Sequence, residues 1–123
     1  MSKLKGKPIS RKTQELCVKE IGSTLSRLTR AADSCRKAQL AFARYPSKPT
    51  ERKYETAVDR CHDAMENFQV AILTLSRSAK TLERQYDELD NAFWDGQYKD
   101  MLNILSGMKV SYKNLVNFFS AVA

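Results

Sequence analysis

The 123 residues predict an all-α fold, an up-down-up antiparallel three-helix bundle with coiled-coil-like seams. Three observations carry that expectation. Apolar residues recur in steps of three and four along most of the chain, clear turn signals interrupt them at only two places, and no stretch of useful length alternates apolar and polar residues.

The first helix is expected from about residue 10 to 44, on a seam of Val18, Ile21, Leu25, Leu28, Ala32, Cys35, Gln39 and Phe42. The stretch ARYPSKPTERK, Ala43 to Lys53, then places Pro46 and Pro49 three residues apart, which no continuous helix tolerates. Pro49 suits the first turn of a second helix, with Ser47 or Thr50 as its cap. That helix is expected from about 50 to 92, because Tyr54, Val58, Cys61, Met65, Phe68, Ile72, Leu75, Ala79, Leu82, Tyr86, Leu89 and Phe93 form an unbroken heptad seam. After Trp94-Asp95-Gly96, a third helix from about 96 to 122 repeats the pattern through Tyr98, Met101, Leu105, Met108, Tyr112, Leu115, Phe119 and Val122. Short connections make the three helices antiparallel neighbours in a single domain, 10–123, preceded by a basic flexible tail, 1–9.

The third helix is shorter than the second, so it reaches only the second helix's C-terminal part and leaves the opposite hairpin end protruding. A bare hairpin would expose a strip of Ala32, Cys35, Phe42, Tyr54, Val58 and Met65, and pairing of two such hairpins predicts a homodimer or higher oligomer. Phe42, Tyr54, Val58 and Met65 are therefore candidate interface residues. Val116 and Phe118 join them as off-seam apolar residues on the third helix, where a protein partner could dock. In the hairpin register, residues whose numbers sum to about 95 face each other, which brings Cys35 and Cys61 together as packed core thiols.

Charge is unevenly distributed. Met1 to Arg60 holds fifteen Lys/Arg and six Asp/Glu, a balance of +9, whereas Cys61 to Ala123 balances at −2. On a helical wheel of about 100° per residue, Lys19, Arg27, Arg30, Lys37 and Arg44 fall within about 60° of Lys12, joined by Ser23 and Ser34 and opposite the apolar seam. This stripe of roughly 48 Å at 1.5 Å per residue suits a nucleic-acid backbone. Arg11 and Lys12 at the start of the first helix, and Arg52 and Lys53 at the expected start of the second, stand where a helix dipole favours anions, so a phosphate docking there would explain them. With Lys48 at the hairpin tip, the candidate nucleic-acid-binding set is Arg11, Lys12, Lys19, Arg27, Arg30, Lys37, Arg44, Lys48, Arg52 and Lys53. Few aromatic residues fall off the seams, and only Tyr45 and Trp94 sit at turns. That scarcity favours duplex backbone over stacked single-strand bases.

Catalysis finds no support in the motifs. One histidine, His62, no glycine-rich phosphate loop, no nucleophile elbow and no paired metal-ligand spacing imply a non-enzymatic chain with no cofactor and no metal. Cys61 lies on the seam while His62 is turned about 100° from it, which is poor geometry for a shared metal. Three widely spaced cysteines and no membrane-length apolar run imply an intracellular, reducing, cytoplasmic setting with no membrane partner. The leading expectation is a helical nucleic-acid binder. The alternative is a protein-interaction module, an adaptor, inhibitor or chaperone, using the third helix and the open hairpin seam.

Overall fold

In the computed structural model, which describes residues 10–75 and 77–121, four α-helices account for the fold: α1 (Arg11–Arg44), α2 (Lys48–Leu73), α3 (Lys80–Trp94) and α4 (Tyr98–Ala121). The described residues contain no strand, and none of their helices is long and apolar enough to cross a membrane. The expected 1–9 tail and Val122 of the last seam lie outside the described residues.

The first turn follows its local chemistry. Ser10 caps α1 by accepting from the Thr13 amide at 3.2 Å, and α1 stops at Arg44 because Tyr45 precedes Pro46. Ser47 then caps α2 in a reciprocal box, accepting from the Thr50 amide at 3.3 Å while the Thr50 hydroxyl accepts from the Ser47 amide at 3.0 Å. The Thr50 hydroxyl also lies 2.7 Å from the Tyr45 carbonyl, tying the turn across its mouth. Pro49 sits inside the first turn, so α2 begins at Lys48 rather than near 50.

The second expected helix is two helices. The chain leaves the α-helix at Thr74, whose hydroxyl donates back to the Ala71 carbonyl at 2.6 Å. The amides of Thr74 and Leu75 bond only three residues back, to Ala71 and Ile72, at 3.3 and 3.2 Å. The chain then reverses. Phe68 packs 6.2 Å from Tyr86 and His62 packs 6.1 Å from Phe93, ring centre to ring centre. One straight helix would separate His62 from Phe93 by about 47 Å at 1.5 Å per residue. The fold is thus a ring of four antiparallel helices, in which α1 touches α2 and α4, and α3 touches α4 and α2. The three-helix expectation and the 50–92 helix are corrected accordingly.

The seam concealed this reversal because it is satisfied on both sides of it. Ile72, Leu75, Ala79 and Leu82 are all buried, so the heptad step continues through a connection that itself packs inward. The expected bare strip is also corrected. Folding α3 and α4 back over the hairpin buries Ala32, Cys35 and Met65 completely or nearly so, and leaves Phe42, Tyr54 and Val58 half-buried. What protrudes is only the tip beyond Gln39 and Tyr54. There α4 begins, with the Gln39 amide donating to the Gly96 carbonyl at 3.2 Å and the Tyr54 and Tyr98 hydroxyls 3.1 Å apart.

Gly96, at φ 69°, makes the turn into α4 possible, since the Gln97 amide reaches back to Ala92 at 2.9 Å. Cys35 and Cys61 do meet across α1 and α2. The Cys35 thiol donates to the Ala57 carbonyl at 3.0 Å, and hydrogen bonding to Cys35 together with burial pushes the Cys61 thiol well above its ordinary range.

Gly22 sets the α1–α4 approach: a Cβ there would overlap the Tyr112 ring, whose hydroxyl donates to the Val18 carbonyl at 3.0 Å. Gly22→Ala gains about 1 kcal/mol of helix propensity but costs about 1–3 kcal/mol of overpacking, so net destabilisation of about 1 kcal/mol is expected in denaturant titrations. The same substitution in a Tyr112→Ala background should stabilise by up to about 1 kcal/mol; a destabilising effect of equal size in both backgrounds would contradict the assigned contact.

Tyr86 gives a second test. Burial, reinforced by Asp90, Glu66 and Asp87, raises its phenol to about 12, against about 10 in the unfolded chain. Its contribution is complete below pH 10 and is lost as pH rises from 10 through 12. Between pH 9 and 11.5 the wild type should lose about 2 kcal/mol more than Tyr86→Phe. Parallel losses in the two proteins would remove Tyr86 from the alkaline transition.

Candidate site: a cationic groove between the first two helices

Small residues let α1 and α2 approach closely. Ala31, Ser34 and Ala38 on α1 face Thr56 and Ala57 on α2, and their short side chains leave a groove of about 480 Å³ on the outer surface. Arg30, Arg52, Lys53 and Arg60 complete its lining, and α3 and α4 contribute nothing to it. A smaller hollow of about 180 Å³ lies alongside, lined by Thr24, Arg27, Arg60, Asp63, Ala64 and Asn67. Because Arg60 borders both, the two form one channel walled by five cations.

Helical phase explains the convergence. With Arg60 at zero on α2, Lys53, Ala57 and Ala64 fall within about 60° of it, whereas Glu55, Asp59, His62 and Glu66 lie about 100–160° away. The helix therefore turns its cations towards α1 and most of its acids away. On α1, Arg27 stands at the α2-facing edge of the stripe and Arg30 at its centre, both within reach of the groove. Asp63 is the only carboxylate lining either hollow. The ion pairs formed among the described residues are Arg11–Glu15 at 3.6 Å, Lys37–Asp33 at 3.0 Å and His62–Glu66 at 3.4 Å, so none of the five groove cations is in a close ion pair, and Asp63 is the one carboxylate beside them. Long cationic side chains over an alanine floor keep their stems on apolar surface and their heads in water.

Of the ten residues expected to bind nucleic acid, the structure gathers Arg27, Arg30, Arg52 and Lys53. Lys12, Arg44 and Lys48 are exposed but stand apart from the groove. Lys37 is engaged by Asp33, and Arg11 by Glu15. Arg11 and Lys19 line a different hollow of about 320 Å³ between α1 and α4, with Val18, Tyr112, Val116 and Phe119. The stripe is therefore not one uninterrupted row. Arg52 and Lys53 also lie beyond the first turn of α2, whose Thr50 amide is already used by Ser47, so they converge on α1 rather than on free helix amides.

Arg60 was missed. Its signal was present as the seven-residue step from Lys53, which repeats one helix face. Among the expected interface residues, Met65 is buried and unavailable, Val116 is half-buried, and Phe118 stands 52% exposed, edge-on to Phe119 at 5.3 Å. His62, Asp63 and Glu66 bring one donor atom each within 4.8 Å on the open surface of α2, a loose set that includes the His62–Glu66 pair.

The expected division of aromatic residues holds for Phe68, Tyr86, Phe93 and Tyr98, which are buried, and for Tyr45 and Trp94, which are exposed, whereas the seam residues Tyr54 and Tyr112 are only half-buried. None lines the cationic groove. Comparison with protein-family models, curated proteins and solved structures finds no match to the chain in any of the three.

Proposed function

We propose that the chain binds the phosphate backbone of duplex nucleic acid through the α1–α2 groove. The observation that supports this reading is the convergence of Arg27, Arg30, Arg52, Lys53 and Arg60 on one channel that a single carboxylate, Asp63, borders and in which none of the five forms a close ion pair. Attraction of this kind is driven by counterion release and reads charge and spacing, not base identity. Ser34 and Thr56 add hydroxyl donors between the cations. The groove has no aromatic platform on which an unpaired base would stack, which favours duplex over single strand. A second reading, a protein partner on α4, draws on Phe118 and Val110, which are 52% and 62% exposed.

Fluorescence anisotropy with duplex RNA and duplex DNA from 50 to 300 mM salt tests the first reading. About three to five neutralised phosphates predict a log–log slope of roughly −2.7 to −4.5 on duplex DNA. Arg30→Glu/Arg52→Glu/Arg60→Glu should weaken binding at least about 100-fold at low salt, while Arg44→Glu/Lys48→Glu at the tip should cost about tenfold or less. Circular dichroism checks that both variants remain folded. No affinity at 50 mM salt, or a groove variant that binds like the wild type, contradicts the reading.

A further inference from the structure

We propose that the Trp94 corner of one copy docks into the α1–α2 groove of a second copy, building a head-to-tail assembly. Trp94 ends α3 with 66% of its surface exposed, yet its indole is held in place. The indole N–H donates to Asp90 Oδ1 at 3.1 Å, and the ring stands edge-on to Phe93 at 5.1 Å and to His62 at 5.7 Å. A large aromatic side chain already ordered in the free protein loses little entropy on docking and is the residue type that most often anchors an interface.

The surroundings of Trp94 are acidic where the groove is basic. Asp90 and Asp95 adjoin it on the chain, and Glu66 reaches the same corner from α2 through His62. Asp90 accepts from the indole itself, and Glu66 pairs with the His62 ring that stands against Trp94, so an acid from α3 and one from α2 border the corner. Residues 83–100 hold six acids and two bases. The groove offers the converse, an alanine floor of Ala31, Ala38 and Ala57 rimmed by Arg30, Arg52, Lys53 and Arg60. An indole entering it meets apolar carbon below and guanidinium groups above, which stack on aromatic faces. The volume of about 480 Å³ falls within the roughly 300–1,000 Å³ typical of binding pockets.

Geometry selects a second copy and a heterologous contact. On α2 the acidic edge lies about 100–160° around the helix from the groove, so the two patches occupy different faces of one molecule and cannot satisfy each other internally. They are also different surfaces, so the contact propagates as a chain or closes as a ring instead of pairing about a twofold axis. One indole and a charged rim make a small interface, hence a weak and salt-sensitive one. Because the groove is the same surface proposed for phosphate, duplex nucleic acid would compete with assembly.

Sedimentation velocity from 20 μM to 1 mM protein, in about 20 mM and about 300 mM salt, tests this. Wild type should gain mass with concentration at low salt and revert to monomer at high salt. Trp94→Ala, with its groove intact, and Arg30→Glu/Arg60→Glu, with its Trp94 corner intact, should each remain monomeric. Mixed in equal amounts they should form a one-to-one dimer and nothing larger, since a single matched pair of surfaces remains. A wild type monomeric at 1 mM in low salt, self-association of either variant, or a mixture that stays monomeric each overturns the proposal. Trp94→Ala should keep its affinity for duplex nucleic acid, so failure here and failure of the groove reading are separable.

Discussion

The reversal between Leu73 and Lys80 is the constraint on which the rest of the molecule depends. Without it, α2 would run on as a single rod and the α1–α2 hairpin would show its apolar seam to water over much of its length. With it, α3 returns along α2 and α4 returns along α1, so Cys35, Cys61, Met65 and Phe68 join one buried cluster with Leu82, Tyr86, Leu89, Phe93 and Tyr98. The hydrophobic driving force is spent inside one chain, and no second hairpin is needed to cover the seam.

Covering one face of the hairpin leaves the other free, and close packing of small residues shapes what remains. Ala31, Ala38 and Ala57 let the helix backbones approach until the Cys35 thiol reaches the Ala57 carbonyl. Bulky residues there would fill the surface flush; alanines leave a trough, and the cations flanking it form no close ion pair among the described residues. The same α2 helix that presents Lys53 and Arg60 to the trough presents Glu55, Asp59 and Glu66 to the opposite side. A modest net charge thus becomes two opposed patches, and long-range attraction depends on such patches more than on the total.

Much of this was legible in the sequence, and the exceptions have physical causes. The helical class, the proline turn, the Ser47 cap and the facing of Cys35 with Cys61 follow from local rules that the folded chain obeys. The chain reversal does not, because heptad phase reports only that a residue points inward, and Leu75 and Ala79 point inward within the connection itself. The hydroxyl of Thr74 marks the break, but a single threonine in a heptad register is also compatible with continuous helix. The expected exposed strip failed for the same reason. The cationic stripe was visible on α1, but its meeting with Arg60 required knowing which edge of α1 faces α2. Asp33 and Glu15 lay at the stripe's margin and took up Lys37 and Arg11.

The reversal is open to one direct distance measurement. Probes carried on noncanonical residues at the exposed positions Asp63 and Asn91 leave all three cysteines in place. Packed antiparallel helices have axes about 8–10 Å apart, so the two probes should lie within about 20 Å of each other. A continuous helix through residues 50–92 would hold them about 42 Å apart at 1.5 Å per residue, and a distance near that value would contradict the four-helix account.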